Sequence, residues 1–483
     1  MTAALSGADF LVLSFSLGLL LFIAYFSGRE QKDTSDFFVA RRRIPLWAAT
    51  LSFVATEISA MTIVGVPAVG FKENWQYLQF FIGSAMARVF IGYFFIPAFY
   101  KYNCVTIYEF LGHRFGRFTQ YSGSVFFFLT RLFASGVRLY AASLAVSVIM
   151  GWPLLNTIAV FTVISMAFIA FGGIRAVVWT GLWESVSFYL AGGLVFFHIL
   201  GRINGGFWEF LKVAGEHNKL SLLNLGFNLS DPNILLIAVI NGVFGSMAAF
   251  GTDQELMQRL LTLSTREESR KSIIWTIAAT LPLVAICLGI GTALFVFFVQ
   301  NPSFALPANS DEILAYFTVN FLPAGLKGLM LSAIILASID SPLSSLSSSF
   351  VMDIYKPVSG ITDETKLLRV SRMSIVVFGV ILAAMAYACK QAEGMLWLAF
   401  KVNGLTAGSL LGIFLFGLFT RRKADKTNAW SMALAFLSCL TVLVLTEKKI
   451  ITIGWSWLIV IGTTLTFVLS WALSSPAGAE ERT

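Results

Sequence analysis

The sequence predicts an all-α polytopic membrane protein, and three observations carry that prediction. Hydrophobic residues make up 57% of the 483-residue chain and charged residues 12%. With a mean hydropathy of +0.79, the chain is far too apolar for a soluble globular fold. The apolar residues gather into stretches of about twenty, the length a helix needs to cross a bilayer. The basic residues gather in the short connections between them, so the net charge of +8 reads as membrane topology and not as a nucleic-acid surface. Four cysteines, Cys104, Cys287, Cys389 and Cys439, are too scattered for a disulfide framework or a metal site.

Taken in order, the stretches predict about thirteen transmembrane helices, near 8–27, 46–70, 77–100, 119–150, 152–171, 176–201, 233–251, 271–300, 323–352, 368–389, 395–420, 427–447 and 451–474. The first lacks a basic leader and a small-residue cleavage site, so it reads as a retained helix and not a signal peptide. An odd number places the termini on opposite sides, and Arg29, Lys32, Arg41, Arg42 and Arg43 after the first helix put the N-terminus outside and the C-terminus in the cytoplasm. Alternate loops agree, through Lys101, Arg114 and Arg117, then Arg259, Arg266, Arg270 and Lys271, then Lys356, Lys366, Arg369 and Arg372, then Arg421, Arg422, Lys423 and Lys426. Lys448 and Lys449 are the exception.

The helices divide into a leading helix with its loop (1–45), two five-helix halves (46–202 and 233–426) separated by a polar outward loop (203–232), and two C-terminal helices with a short tail (427–483). Each half opens on a helix interrupted by small or polar residues, Ala55–Ala60 in the first and Asn241–Ser246 in the second. Paired interruptions point to a binding site between inverted repeats.

Within the ninth helix, Leu331–Tyr355 sets Ser338, Ser341, Ser345 and Ser348 on one face with Asp340 on its flank. Pro342 has no N–H to give the carbonyl of Ser338. Oxygens so arranged suit a hard cation; the same serines suit close helix packing. Asp340 favours the ion, because an intramembrane carboxylate is costly unless used.

Glu57, Arg131, Arg138, Glu184 and Lys401 also fall inside predicted spans, so each must be paired, snorkelling or facing water. Glu57 stands at the first interruption and is expected at a substrate or ion site, or else as a partner of Lys401. Arg131 and Arg138 share a helical face, as a charge pair with acidic neighbours or as solute contacts. Glu184 is expected to reach the membrane interface. His113, His198 and His217 have no partners at zinc-ligand spacing. There is no phosphate-cradling glycine loop, which disfavours ATP-driven pumping and leaves an ion gradient as the energy source.

SDFFVARRRIPLWAATLSFVATEISAMTIVGVPA, TIYEFLGHRFGR, GGIRAVVWT, MQR, FVQNPS, the serines ending in MDIY, and GLTAGSLLGIFLFGLF together resemble the sodium/solute symporter family, most closely its bacterial sialic-acid branch. The resemblance implies a LeuT-type five-plus-five inverted-repeat core after one leading helix, in the cytoplasmic membrane of a bacterium. It implies sodium-coupled symport of a small polar solute of the carboxylate, amino-acid-like or sugar-acid class by alternating access. Sodium is then the coupling ion, with a proton as the alternative, and no organic cofactor or obligate protein partner is expected. The family's common sodium site falls on the carbonyls of Ala55, Ile58 and Ile334 and the hydroxyl of Ser338, with Ala337 lacking one ligand. An additional ion site falls on Asp340 and Ser341, with Gly181 where the branch has an aspartate. Substrate positions fall on Glu57, Ser59, Thr62, Phe81 and Ser246, and Ala134 stands where the branch binds a carboxylate. A transporter-like sensor or a membrane enzyme is the rival reading; the C-terminal SSPAGAEERT leaves no room for a signalling domain, and no nucleophile–base constellation is readable.

Overall fold

Each predicted apolar stretch overlaps a helix in the computed structural model, which describes residues 5–28, 33–227, 231–339, 342–391, 395–451 and 453–475. The leading helix is α1 (Gly7–Gly28). The next stretch divides into α2 (Leu46–Glu57) and α3 (Ala60–Lys72), then come α4 (Gln79–Phe90), the loop helix α5 (Ile107–Arg114), α6 (Arg117–Met150) and α7 (Leu154–Arg202). The second half holds α8 (Leu235–Ser246), α9 (Gln254–Leu261), α10 (Arg266–Gln300), α11 (Leu326–Ile339), α12 (Leu343–Ser349), α13 (Glu364–Ala388) and α14 (Met395–Phe419). Two further helices follow, α15 (Asp425–Glu447) and α16 (Trp457–Ala472).

The count of thirteen is not reached on length and composition. Among the described residues seven helices are long and apolar enough to cross a membrane, and nine if each bent pair is one span. Two physical reasons account for the shortfall. Helix α7 runs 49 residues and joins two predicted spans through a kink at Gly173, whose φ of 54° only glycine adopts readily. The apolar segments in α11, α14 and α16 fall short of the length a lone span needs.

The two breaks arise differently. Helix α2 leaves helical geometry at Ile58 (φ −84°, ψ 75°), and Ser59 is extended as α3 starts. The two segments are bent by 55°. In the second half the expected interruption at Asn241–Ser246 is corrected: those residues lie in unbroken helix, followed by a π turn over Met247–Gly251. Its glycines serve contact instead. A Cβ on Gly242 would lie 2.2 Å from the carbonyl oxygen of Phe80, and one on Gly83 2.1 Å from that of Val239, so the pair lets α4 and α8 touch through their backbones. The break comes about ten residues later than expected, where Asp253 caps α9 by accepting from the Glu255 amide at 2.9 Å, and the segments meet at 62°.

Helix α11 is fixed from outside its own half. Asp9 of α1 accepts from the amides of Gly325 and Gly328 at 2.8 Å each, an anion on the first turn of α11 supplied by the leading helix. The predicted 323–352 helix is divided into α11 and α12, and Asp340 and Ser341 lie outside the described residues. Below that point the serines serve packing. Ser345 donates to the carbonyl of Pro342 at 2.8 Å and Ser348 to that of Ser345 at 2.9 Å, while Ser347 reaches Ser371 of α13 at 3.0 Å.

The loop expected to face outward is more than a polar cap. It forms a helix over Gly206–Glu216 and then folds Lys219 onto the end of α3, where the ammonium donates to the carbonyls of Phe71 at 2.6 Å and Lys72 at 2.9 Å. A cation there meets the negative end of the helix dipole.

Candidate binding site

Each break carries a buried carboxylate, and each carboxylate is held by an arginine from another helix. At the first, Glu57 ends α2; its Oε1 accepts from the guanidinium of Arg88 on α4, and its Oε2 from the Thr280 hydroxyl of α10 at 2.7 Å. Arg88 is 1% exposed, also donates to Thr276, and lies over the ring of Phe250 with its Cζ 4.7 Å from the centroid. At the second break, Arg131 of α6 spans Asp253 and Glu255, and Arg138 donates from Nη1 to Glu255 at 3.1 Å. Buried charges persist only when paired in this way.

Two of these charges lie otherwise than expected. Glu57 does not pair with Lys401, which meets Glu447 at 2.7 Å where α14 and α15 are open to their surroundings. Arg88 takes that role, although its position in the predicted 77–100 span was itself the signal for a buried partner. Glu184 does not reach the interface but is 2% exposed within α7.

Between the breaks lies a cavity of about 210 Å³. Glu57, Ser59, Thr62, Phe81 and Ser246, the five expected substrate residues, all line it, together with Arg131 and Arg138. Tyr77, Asn403 and Trp455 line it as well and were not foreseen, and Asn241 lines it from the stretch expected to mark the site. Its lining combines the aromatic rings of Tyr77, Phe80, Phe81, Phe250 and Trp455 with the charged groups of Glu57, Arg131, Arg138 and Asp253. Three features face a ligand chemically. Among the described residues the Ser246 hydroxyl and the Arg131 Nε are buried without a hydrogen-bond partner, and Arg138 uses only Nη1 toward protein, leaving Nη2 and Nε for a guest.

The expected sodium residues fall at the end of α2 and on α11. Ala55 in the last turn of α2 and Ile58 at its C-cap are each 1% exposed, where helix carbonyls lack intrahelical N–H donors and the dipole end is negative. Ile58 also borders the cavity. Ile334 and Ala337 are buried on α11, which packs against α3. Ser338 belongs to α11, and its side chain lies outside the described residues. At Gly181 a Cβ would stand 2.6 Å from Ser52 Oγ and 3.0 Å from its Cα. That closeness between α7 and α2 leaves no room for the acid the branch carries there. The same Ser52 hydroxyl accepts from Arg259 Nε at 3.2 Å, so a fixed cation already stands beside this spot.

Residues 37–434 match the family described as Sodium:solute symporter family. The chain belongs to that family. It is 29% identical over 478 residues to the sodium/sialic acid symporter NanT of Aliivibrio fischeri, covering 97% of this chain and 93% of that one. It is 29% identical to the sodium-dependent multivitamin transporter of Oryctolagus cuniculus, covering 86% and 67%. A solved structure of a Na+-coupled sialic acid symporter in a substrate-bound outward-open state superposes with a TM-score of 0.88 at 25% identity, covering 98% of this chain and 99% of that one. This symporter is therefore a multi-pass membrane transporter with a LeuT-type fold, not an enzyme, and it couples movement of a small solute to sodium. Membership implies no organic cofactor.

Proposed function

We propose that this symporter carries a small organic solute whose carboxylate docks on Arg138 and whose body lies against the aromatic rings of the lining. The observation that carries this reading is the incomplete use of Arg138, whose Nη2 and Nε keep their N–H groups for a cavity where, among the described residues, Arg88 answers Glu57 and Arg131 spans Asp253 and Glu255. A guanidinium fork suits a carboxylate, and its bonds are stronger than those to a neutral acceptor. Ser59, Thr62, Asn241 and Ser246 supply hydrogen bonds to the rest of the solute, and Phe81 with Tyr77 and Trp455 an apolar face. Glu57, held by Arg88 and Thr280, shapes the cavity and is not the receptor of a free amine. The sialic-acid symporter relative fits this reading, since sialic acid is itself a carboxylate.

Sodium is assigned to the carbonyls of Ala55, Ile58 and Ile334 with the hydroxyl of Ser338, and Asp340 with Ser341 to a further coupling role. The cation-rich connections face the cytoplasm, so the N-terminus is outside and the membrane is the bacterial cytoplasmic one. Residues 46–202 and 233–426 form the two repeats, each opened by one of the broken helices.

The test is sodium-driven uptake into proteoliposomes of carboxylic acids and of their amides. Uptake of acids but not amides, lost in Arg138→Gln while sodium still raises thermal stability, supports the assignment. Equal uptake of both members of each pair by the wild type refutes it. Coupling is tested with Asp340→Asn, which is expected to exchange solute without accumulating it.

A further inference from the structure

A second cavity, of about 450 Å³, opens to the membrane between four helices that all run toward the cation-rich face. Its floor is apolar: Met86 and Phe90 of α4, Val243 and Met247 on the α8 side, Phe419 of α14 and Val468 of α16. The residues on each helix span four or five positions, so at 1.5 Å per residue the groove is about 6–8 Å long. That is about half the thickness of one hydrocarbon leaflet.

The end toward the cation-rich face is built differently. Phe419 packs on Phe90 and Phe94 with centroids 5.9 and 5.5 Å apart, and Arg421 follows two residues later, exposed and without a protein partner among the described residues. Arg422 donates to the Trp471 carbonyl at 2.9 Å and lies over its ring at 4.5 Å, one turn beyond Val468. Across the mouth Arg270 lies over Tyr93 at 4.8 Å, although Glu267 answers its charge. Aromatic residues with cations at one end of an apolar groove match a membrane–water boundary.

We infer that this groove binds one anionic phospholipid, its acyl chain on the apolar floor and its headgroup on Arg421 and Arg422. Arg422 also donates to the carbonyl and hydroxyl of Ser474, at 3.1 and 3.4 Å, so its protein partners are neutral among the described residues. A neutral lipid would fill the floor and leave both charges without an anion; charge complementarity selects the anion. The site bears on transport through α8. Val243, Phe244 and Met247 face the groove, while Asn241, Gly245 and Ser246 on the same helix face the solute cavity. A single helix separates lipid from solute, and it is the helix whose continuation breaks at Asp253. The inference rests on this placement and not on the identity of the solute.

The full-length symporter is purified, exchanged into nanodiscs of phosphatidylcholine with or without phosphatidylglycerol, and examined by native mass spectrometry and by solute-binding titration. Wild type is expected to retain one phosphatidylglycerol and to bind solute more tightly when it is present. Arg421→Gln is expected to weaken retention by about five-fold, the effect of one cation at a charged surface. Val468→Trp, which fills the groove from its exposed rim, is expected to abolish retention, with sodium-dependent thermal stabilisation confirming that the variant is folded. Equal retention by wild type and both variants overturns the proposal. So does a wild-type dimer that Val468→Trp dissociates, because the groove would then be an interface between two copies.

Discussion

Glu57 and Arg88 hold opposite charges where neither is stable alone. Glu57→Gln keeps the shape of the side chain but leaves the Arg88 guanidinium buried without its anion, an arrangement that costs about 3–5 kcal/mol. The expected outcome is a marked fall in melting temperature in detergent, largely reversed in Glu57→Gln/Arg88→Met. Retention of solute rank order in the double variant would separate this pair from solute recognition; a changed order with unchanged stability would return Glu57 to the solute site. A second prediction concerns Gly181. Gly181→Asp forces a Cβ against the backbone of Ser52, so overpacking of about 1–3 kcal/mol is expected and no ion site is regained. Thermal stability with and without sodium measures both effects. At this scale the sequence showed which charges are costly but not which meet, because Glu57 and Arg88, or Arg131 and Asp253, become neighbours only through the fold.

Helix α11 owes its first turn to a residue some 316 positions away, since Asp9 caps it in trans. Asp9→Ala is expected to destabilise by about 0.5–2 kcal/mol, as loss of a cap does, and to raise the sodium concentration needed for half-maximal uptake, because α11 carries Ile334 and Ser338. A capping loss without a sodium effect would detach that helix from ion binding. The loop helix α5 is expected to respond to pH. Burial, with Asp353 nearby, pushes Glu109 up to about 7, against the stabilising amide of Val105 at 2.7 Å. An acid whose pKa rises on folding holds its proton longer in the native state, so stability is expected to fall as pH rises from about 4.5 to 7 and to level off above. Glu109→Gln should flatten that slope in melting curves taken across the range. The elements themselves were largely legible, since apolar runs of about twenty residues have few alternatives. The second break was not, because glycines that serve close packing look like an interruption, whereas the true signal was the Thr-Asp-Gln-Glu start of a capped helix.

For the whole molecule, sodium binding should be visible as stability before any transport is measured. A ligand at a hundred times its dissociation constant adds about 2.7 kcal/mol, so the melting temperature is expected to rise with sodium and not with equal potassium. Ser338→Ala should shift that titration to higher sodium while leaving maximal uptake near wild type; an unchanged titration would remove Ser338 from the ion site. The family and five residues of the cavity lining, Glu57, Ser59, Thr62, Phe81 and Ser246, were readable from motifs. The charge balance around the cavity was not, since it depends on Arg88 and Asp253 meeting partners across the bundle. The loop residue Lys219 has a consequence of its own. It leashes the C-terminal end of α3 with two charge-assisted bonds made from a connecting loop. If α3 swings during the cycle, turnover has a latch at that end, and a protein engineer could retime the transporter by editing a loop without touching a single residue that meets sodium or solute.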